Sequence, residues 1–274
     1  MNKKVFYKIL IHGFLIAMAV MTLTPFIWLL LSSFKSNLEI LAANQTLFPK
    51  EFIFSNYDKV NTQFNFMRYF VNSIIVVGVI TVMTSYTSAI AGFVLSKYNF
   101  KLKKLAFSIV MATMMLPWCV TIIPRYFIIK EIGWLNSYKA LILPAMFSGF
   151  GIFMMKQNME SLPNEFLEAA RIDGANEFFI FHRIVIPMSK NGVFAIAIFQ
   201  FLWAWEDYLW PYLVITTPEK QLIAVGLKLF NGQYQTDYGS LFAATVISII
   251  PVIVVYLLLQ KRFVEGIASA GLKG

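Results

Sequence analysis

The sequence predicts an all-α, polytopic membrane protein with six transmembrane helices. Charge is scarce: 14% of the 274 residues are charged and 58% are hydrophobic, against about 25% charged in a soluble domain. The apolar residues come in runs of about 20, long enough at ~1.5 Å per residue to cross a ~30 Å hydrocarbon layer. Basic residues gather at the ends of those runs rather than along one face, as topological signals do.

The runs place the spans at about 9–31, 70–95, 105–124, 140–158, 192–215 and 238–260, in a single transmembrane domain over 1–274. Each must be helical, because a lone strand leaves backbone groups unpaired in lipid. All but the second carry a proline within the run or near its end (Pro25, Pro117, Pro144, Pro211, Pro251), which predicts kinks. With the N-terminus cytoplasmic, 14 of the 23 Lys and Arg fall on that side. Lys97, Lys101, Lys103 and Lys104 share one short loop with no acid. Both termini are therefore expected in the cytoplasm. The run from Ile9 to Leu31 exceeds the ~7–15 residues of a cleavable signal core and reads as an uncleaved first span. For the external segment 32–69, a small amphipathic cap and a plain long loop both stay open.

Several function classes drop out. The net charge of +9 belongs to span flanks, so no nucleic-acid partner is implied. Cys119 is the only cysteine and His12 and His182 the only histidines. Neither histidine sits in a metal-ligand or triad pattern, so no metal site and no catalytic residue is expected. No G-x-x-x-x-G-K-[ST] loop occurs, so this chain binds no nucleotide cofactor through that motif.

The segment least suited to lipid is the loop 160–191, between the fourth and fifth spans. Pro163 fits the first turn of a helix running from about Asn164 to Asp173. Gly174 stands where a helix ends in a left-handed residue. Asn176 can cap a second helix over Glu177 to Ile186, with Pro187 as its stop. Glu160, Glu165, Glu168, Asp173 and Glu177 face only Arg171. An anionic membrane surface would repel such a patch, so docking to a soluble partner and a merely solvated acidic loop are the two readings.

Glu168-Ala169-Ala170, then Gly174, then Ile184-Val185-Ile186-Pro187 resembles the EAA signature of ABC-importer permeases. Its one departure is Ile186 where the signature has Leu. The likeness covers essentially the whole chain. Glu165 to Ala175, the Trp-rich run Trp203 to Trp210, Gly226 to Gly239 and the tail ending Gly271-Leu272-Lys273-Gly274 are similar to the sugar-uptake branch, and look like the smaller permease of maltose-type importers.

The resemblance implies the type I importer permease (MetI-like) fold in a bacterial cell membrane. It implies that Glu168, Ala169, Ala170, Asp173, Gly174, Ile184 and Pro187 couple the spans to an ABC ATPase dimer, which holds the ATP and Mg. A second homologous permease, an extracytoplasmic solute-binding protein and a sugar substrate are the other implied partners. Asn231, Gly232, Gln233 and Tyr234 would meet the binding protein, and the tail from Lys261 would reach the ATPase.

Glu206 and Asp207 are the only acids within the predicted spans, and an intramembrane acid is a pathway candidate by default. Trp203 beside them could stack on a sugar or anchor the bundle. A permease for another solute remains an alternative. A self-sufficient ion-coupled carrier is less suited, because no span offers an acid–base relay.

Overall fold

The computed structural model describes residues 3–62, 65–230 and 236–271. In chain order the helices are α1 (Lys3–Ser32), α2 (Asn37–Ile40), α3 (Ser55–Thr62), α4 (Phe66–Lys97), α5 (Lys103–Met115), α6 (Trp118–Glu131), α7 (Lys139–Ala145) and α8 (Gly149–Glu160). Next come α9 (Glu165–Ile172), α10 (Glu177–Met188), α11 (Lys190–Glu206), α12 (Leu209–Val214) and α13 (Tyr238–Gly271), with short helical turns at Pro218–Lys220, Ile223–Gly226 and Leu227–Phe230 before the last. Four stretches are long and apolar enough to cross a membrane: Tyr7–Ser32, Phe66–Lys97, Lys139–Glu160 and Tyr238–Gln260. There are six if each of two bent helix pairs counts as one span.

Two of the predicted spans are bent, one of them at a proline as expected. The third span breaks between α5 and α6, whose axes differ by 105°. Leu116 is extended (φ −82°, ψ 119°) because Pro117 bars its predecessor from helical geometry. The helical run then continues to Glu131, past the predicted end at 124. The fifth span also departs from 192–215. It starts at Lys190, bends 78° from α10, and breaks at Asp207 (φ −65°, ψ 109°) before α12.

The chain divides into two compact units, one of residues 1–67 and 226–250, the other of 68–225 and 251–274. In the smaller unit, segment 32–62 is a folded cap rather than a plain loop. Asn56 is buried and donates to the carbonyls of Ser33 and Lys35, both at 2.9 Å. Buried Lys35 donates to the Thr46 carbonyl, and Asn37 Oδ1 accepts from Gly239 N–H at 3.0 Å. Phe34 packs against Phe52, Phe54 and Tyr57. Asn56 and Lys35 thus have partners, which is the condition for burying them, while the buried Ser32 hydroxyl has none among the described residues.

The larger unit is strung along α4 and has two apolar clusters. One gathers Val76, Ile80, Leu141, Trp210 and Val214. The other gathers Ala89, Phe93, Met155, Leu167, Ile180 and Val185. Between them α4 and α8 touch through small residues. A Cβ on Gly92 would lie 2.5 Å from that of Met155, and one on Gly151 2.3 Å from Ser88 Oγ. Small residues permit this spacing in membrane helices. The interruption between α7 and α8 is held by the same helix, since Thr84 Oγ1 donates to the Ala145 carbonyl at 2.7 Å and Thr87 Oγ1 to that of Met146.

Candidate coupling loop and pathway cavity

At one end of the larger unit, α9 is fastened by a single deep side chain. Leu167 is 2% exposed and packs with Phe93, Met155 and Ile180. Positions three and four residues apart share a helix face, so Ala170 turns the same way and packs half-buried on that cluster. Glu165, Phe166, Glu168, Ala169 and Ile172 are left exposed. Ile172 is 87% exposed. Of the Glu168-Ala169-Ala170 triplet, two residues therefore face out and one faces in.

Both caps of the loop follow their residue types. Gly174 has φ +82°, its N–H bonds the Arg171 carbonyl at 3.0 Å, and the Ala175 N–H bonds that of Ala170 at 2.9 Å. This pair of bonds is the Schellman arrangement that satisfies the last carbonyls of a helix. Asn176 Oδ1 accepts from Phe179 N–H at 2.8 Å, capping α10. Pro163, by contrast, precedes the first turn rather than standing in it, because α9 begins only at Glu165 after Asn164.

Pro187 does not stop α10, contrary to the sequence expectation. A π-helical turn over Phe181–Val185 widens the backbone ahead of the proline. The helix then runs on through half-buried Ile184 and exposed Pro187 to Met188. A π turn is a recognised way to absorb a disrupted α-helical ladder. The chain turns at Ser189 instead.

The acidic patch is smaller than its composition suggests. Glu160 pairs with Lys156 at 2.5 Å, and Glu177 with Arg171 at 2.8 Å. Tyr98 donates to Glu177 as well, and the adjoining carboxylate raises the Arg171 guanidinium above its ordinary pKa. Glu165, Glu168 and Asp173 keep exposed carboxylates with no ion pair among the described residues. Lys97 Nζ donates to the Leu162 carbonyl at 2.6 Å and to Asn164 Oδ1 at 2.9 Å, tying the loop to the end of α4.

At the other end of the unit lies a cavity of about 770 Å³ between α6, α7, α11 and α12, with Ile80 of α4 in its wall. Trp203, Glu206 and Asp207 all line it, so the three predicted pathway residues come together. Trp203 is 50% exposed, stacks on Phe199 and meets Phe150 edge-to-face. Asp207 Oδ1 accepts from Trp210 N–H at 3.2 Å. The Trp210 indole donates to the Ala140 carbonyl at 3.0 Å. That carbonyl lacks its usual helical donor because Pro144, four residues on, has no N–H. Arg125 lies 4.1 Å from the Trp210 ring, within cation–π range.

Asn231, Gly232, Gln233 and Tyr234 lie outside the described residues, as do the side chains from Lys261 onward.

The model of the binding-protein-dependent transport system inner membrane component family matches residues 85–269, more than half the chain, and takes in the loop and all of the cavity lining but Ile80. The chain belongs to this family. Among its relatives is the diacetylchitobiose uptake system permease protein NgcG of Streptomyces coelicolor, 35% identical over 95% of this chain and 87% of that one. The arabinooligosaccharides permease AraQ of Bacillus subtilis is 33% identical over 98% and 96%. The sn-glycerol-3-phosphate permease UgpE of Escherichia coli is 33% identical over 85% of each. A crystal structure of a bacterial ABC transporter importing the acidic polysaccharide alginate has a chain with TM-score 0.84 and 25% identity, covering 96% of this chain and 98% of that one.

As a permease of this family, the chain is a multi-pass membrane protein and a transport component. Three residues escape the sequence reading. Arg125 falls one position past the predicted third span; a cation inside the apolar run Trp118–Ile129 is the signal that could have found it. Lys97 and Tyr98 carry no local signal, since their partners are more than 60 residues away.

Proposed function

We propose that this chain is the carbohydrate-translocating permease of a bacterial binding-protein-dependent ABC importer. In this reading 1–274 acts as one transmembrane domain with both termini cytoplasmic. An ABC ATPase dimer carries the ATP and Mg, a second homologous permease completes the path, and an extracytoplasmic binding protein delivers the sugar. The names of NgcG and AraQ support an oligosaccharide. UgpE marks the alternative solute class.

The observation that carries the coupling role is the two-sided construction of α9. Leu167 and Ala170 fix it inward, and Phe166, Glu168, Ala169 and Ile172 stand clear. An exposed apolar pair beside carboxylates is poorly suited to solvent and well suited to a groove with basic walls. Residues Asn231–Tyr234 remain the candidate contact with the binding protein on sequence grounds alone.

The test is co-purification of the tagged chain with its ATPase at graded ionic strength. Glu168→Lys is expected to weaken ATPase retention most at low salt, where exposed charges are least screened. Retention equal to that of the unaltered chain at every salt concentration would reject the docking face. Failure of the complex to take up arabinotriose, chitobiose or maltotriose while taking up glycerol 3-phosphate would move the reading to the other solute class.

A further inference from the structure

The cavity's lining carries information about its ligand. Trp118 and Trp203 are 60% and 50% exposed, whereas Trp205 and Trp210 are 5% and 4% exposed. Of the five tryptophans in this unit, Trp205 and Trp210 are thus core and Trp134 is half-buried, while Trp118 and Trp203 on the cavity wall stay exposed. Gln200 and Thr121 add polar atoms to the wall. Gln200 makes no side-chain hydrogen bond among the described residues, and Thr121 bonds only its own helix, at the Trp118 carbonyl. The volume of about 770 Å³ falls in the ~300–1,000 Å³ range of small-molecule sites. Open aromatic faces next to the Gln200 amide and the accepting oxygen of Thr121 match a sugar ring, which has an apolar C–H face and a hydroxyl rim.

The charges narrow the class. Arg125, Glu206 and Asp207 are the charged lining residues, giving a net charge of −1. Arg125 is stacked on Trp210 and forms no ion pair with either acid among the described residues. One guanidinium face is therefore covered by an indole, and the cation is outnumbered by carboxylates. An acidic ligand would meet net repulsion in a site partly shielded from water, where charge interactions are stronger than in bulk. A lipid chain is an equally poor occupant, since three ionisable groups in a lipid-facing wall are costly.

We propose that this cavity is the sugar-contacting section of the path in this subunit, and that it admits uncharged oligosaccharides and disfavours those bearing carboxylate or phosphate. The proposal rests on the transporter reading above. Trp118 and Trp203 supply the stacking faces, Gln200 and Thr121 bond hydroxyls, and the acid pair sets the charge selection.

The experiment uses the assembled importer with a Thr121→Cys reporter in a Cys119→Ser background. The reporter is modified in parallel with cationic and anionic methanethiosulfonates of similar size, each rate divided by that for a free thiol. The cationic reagent is expected to react about tenfold faster, equivalent to about 1.4 kcal/mol. Glu206→Gln should bring the two rates within about twofold, and Glu206→Lys should reverse the preference. Glu206 is exposed, so neither substitution disturbs the core. The unaltered, unmodified importer is offered neutral trisaccharides and trigalacturonate, with uptake expected for a neutral sugar only. An unmodifiable reporter, a faster anionic reagent, or preferred uptake of trigalacturonate would overturn the proposal. A complex that retains no ATPase and takes up no solute would instead show, before any reagent is added, that the transporter reading itself fails.

Discussion

At the loop end of the larger unit, α9 depends on one buried leucine, two caps and an ion pair that stands in the open. At the cavity end, α12 depends on buried Trp210, whose ring packs, whose indole serves a carbonyl freed by Pro144, and whose π face holds Arg125. The first design leaves a helix face uncovered. The second encloses polar groups around a void. An element that must engage another protein needs a firm inner face and a free outer one. A wall that passes a solute needs its charges fixed in place. The same α4 supplies packing residues to both, Phe93 at one end and Ile80 at the other.

The largest effect that separates the ends should come from Leu167→Ala. Truncating a fully buried leucine costs about 2–5 kcal/mol, and here the loss falls on α9 alone. Limited proteolysis should then cut within 160–176 while the cavity reporter keeps its reactivity. Cleavage spread evenly over the chain would mean that the ends are not separable.

Trp210→Phe should do the converse at about 1–3 kcal/mol, because it keeps a ring but leaves the Ala140 carbonyl unpaired. Sugar uptake should fall and the thiol reporter should change its rate, with ATPase retention intact. Loss of retention would show that the cavity end supports the loop directly.

Arg171→Ala should be the mildest. The pair with Glu177 is exposed, and such pairs contribute about 0–1 kcal/mol. A small rise in loop proteolysis with near-normal uptake is expected. An effect as large as that of Leu167→Ala would make the ion pair, rather than the apolar plug, the fastening of α9.

The sequence made the two ends unequally legible. Gly174, Asn176 and the spacing of the EAA residues act within a few positions of themselves, so local rules placed the caps correctly. The apolar runs marked where helices lie, because lipid leaves the backbone few choices, but not the breaks at Leu116 and Asp207. What stayed hidden depends on partners distant in sequence. Lys97 finds Leu162, Trp210 finds Ala140, and Arg125 finds Trp210 only after folding. Proline was read in both directions. Pro117 broke its span as the restriction on its predecessor requires, yet Pro187 was absorbed because a π turn precedes it. That accommodation involves the whole helix and leaves no mark at the proline itself. The inward turn of Ala170 is likewise set by Leu167 and the cluster beneath it, not by the motif.

The central claim, that α9 transmits movement through its outer face, is tested most directly at Gly174. A Cβ there meets nothing within 4 Å, so a substitution acts through the left-handed φ of +82° and not through a clash. A β-branched residue in that conformation costs at least about 1–2 kcal/mol, whereas asparagine tolerates it. Uptake and ATPase retention should therefore be measured together for Gly174→Val and Gly174→Asn in the reconstituted importer. The account predicts that the valine variant inserts and pairs normally but loses most uptake and retention, and that the asparagine variant keeps both. Full uptake and full retention with valine would contradict it.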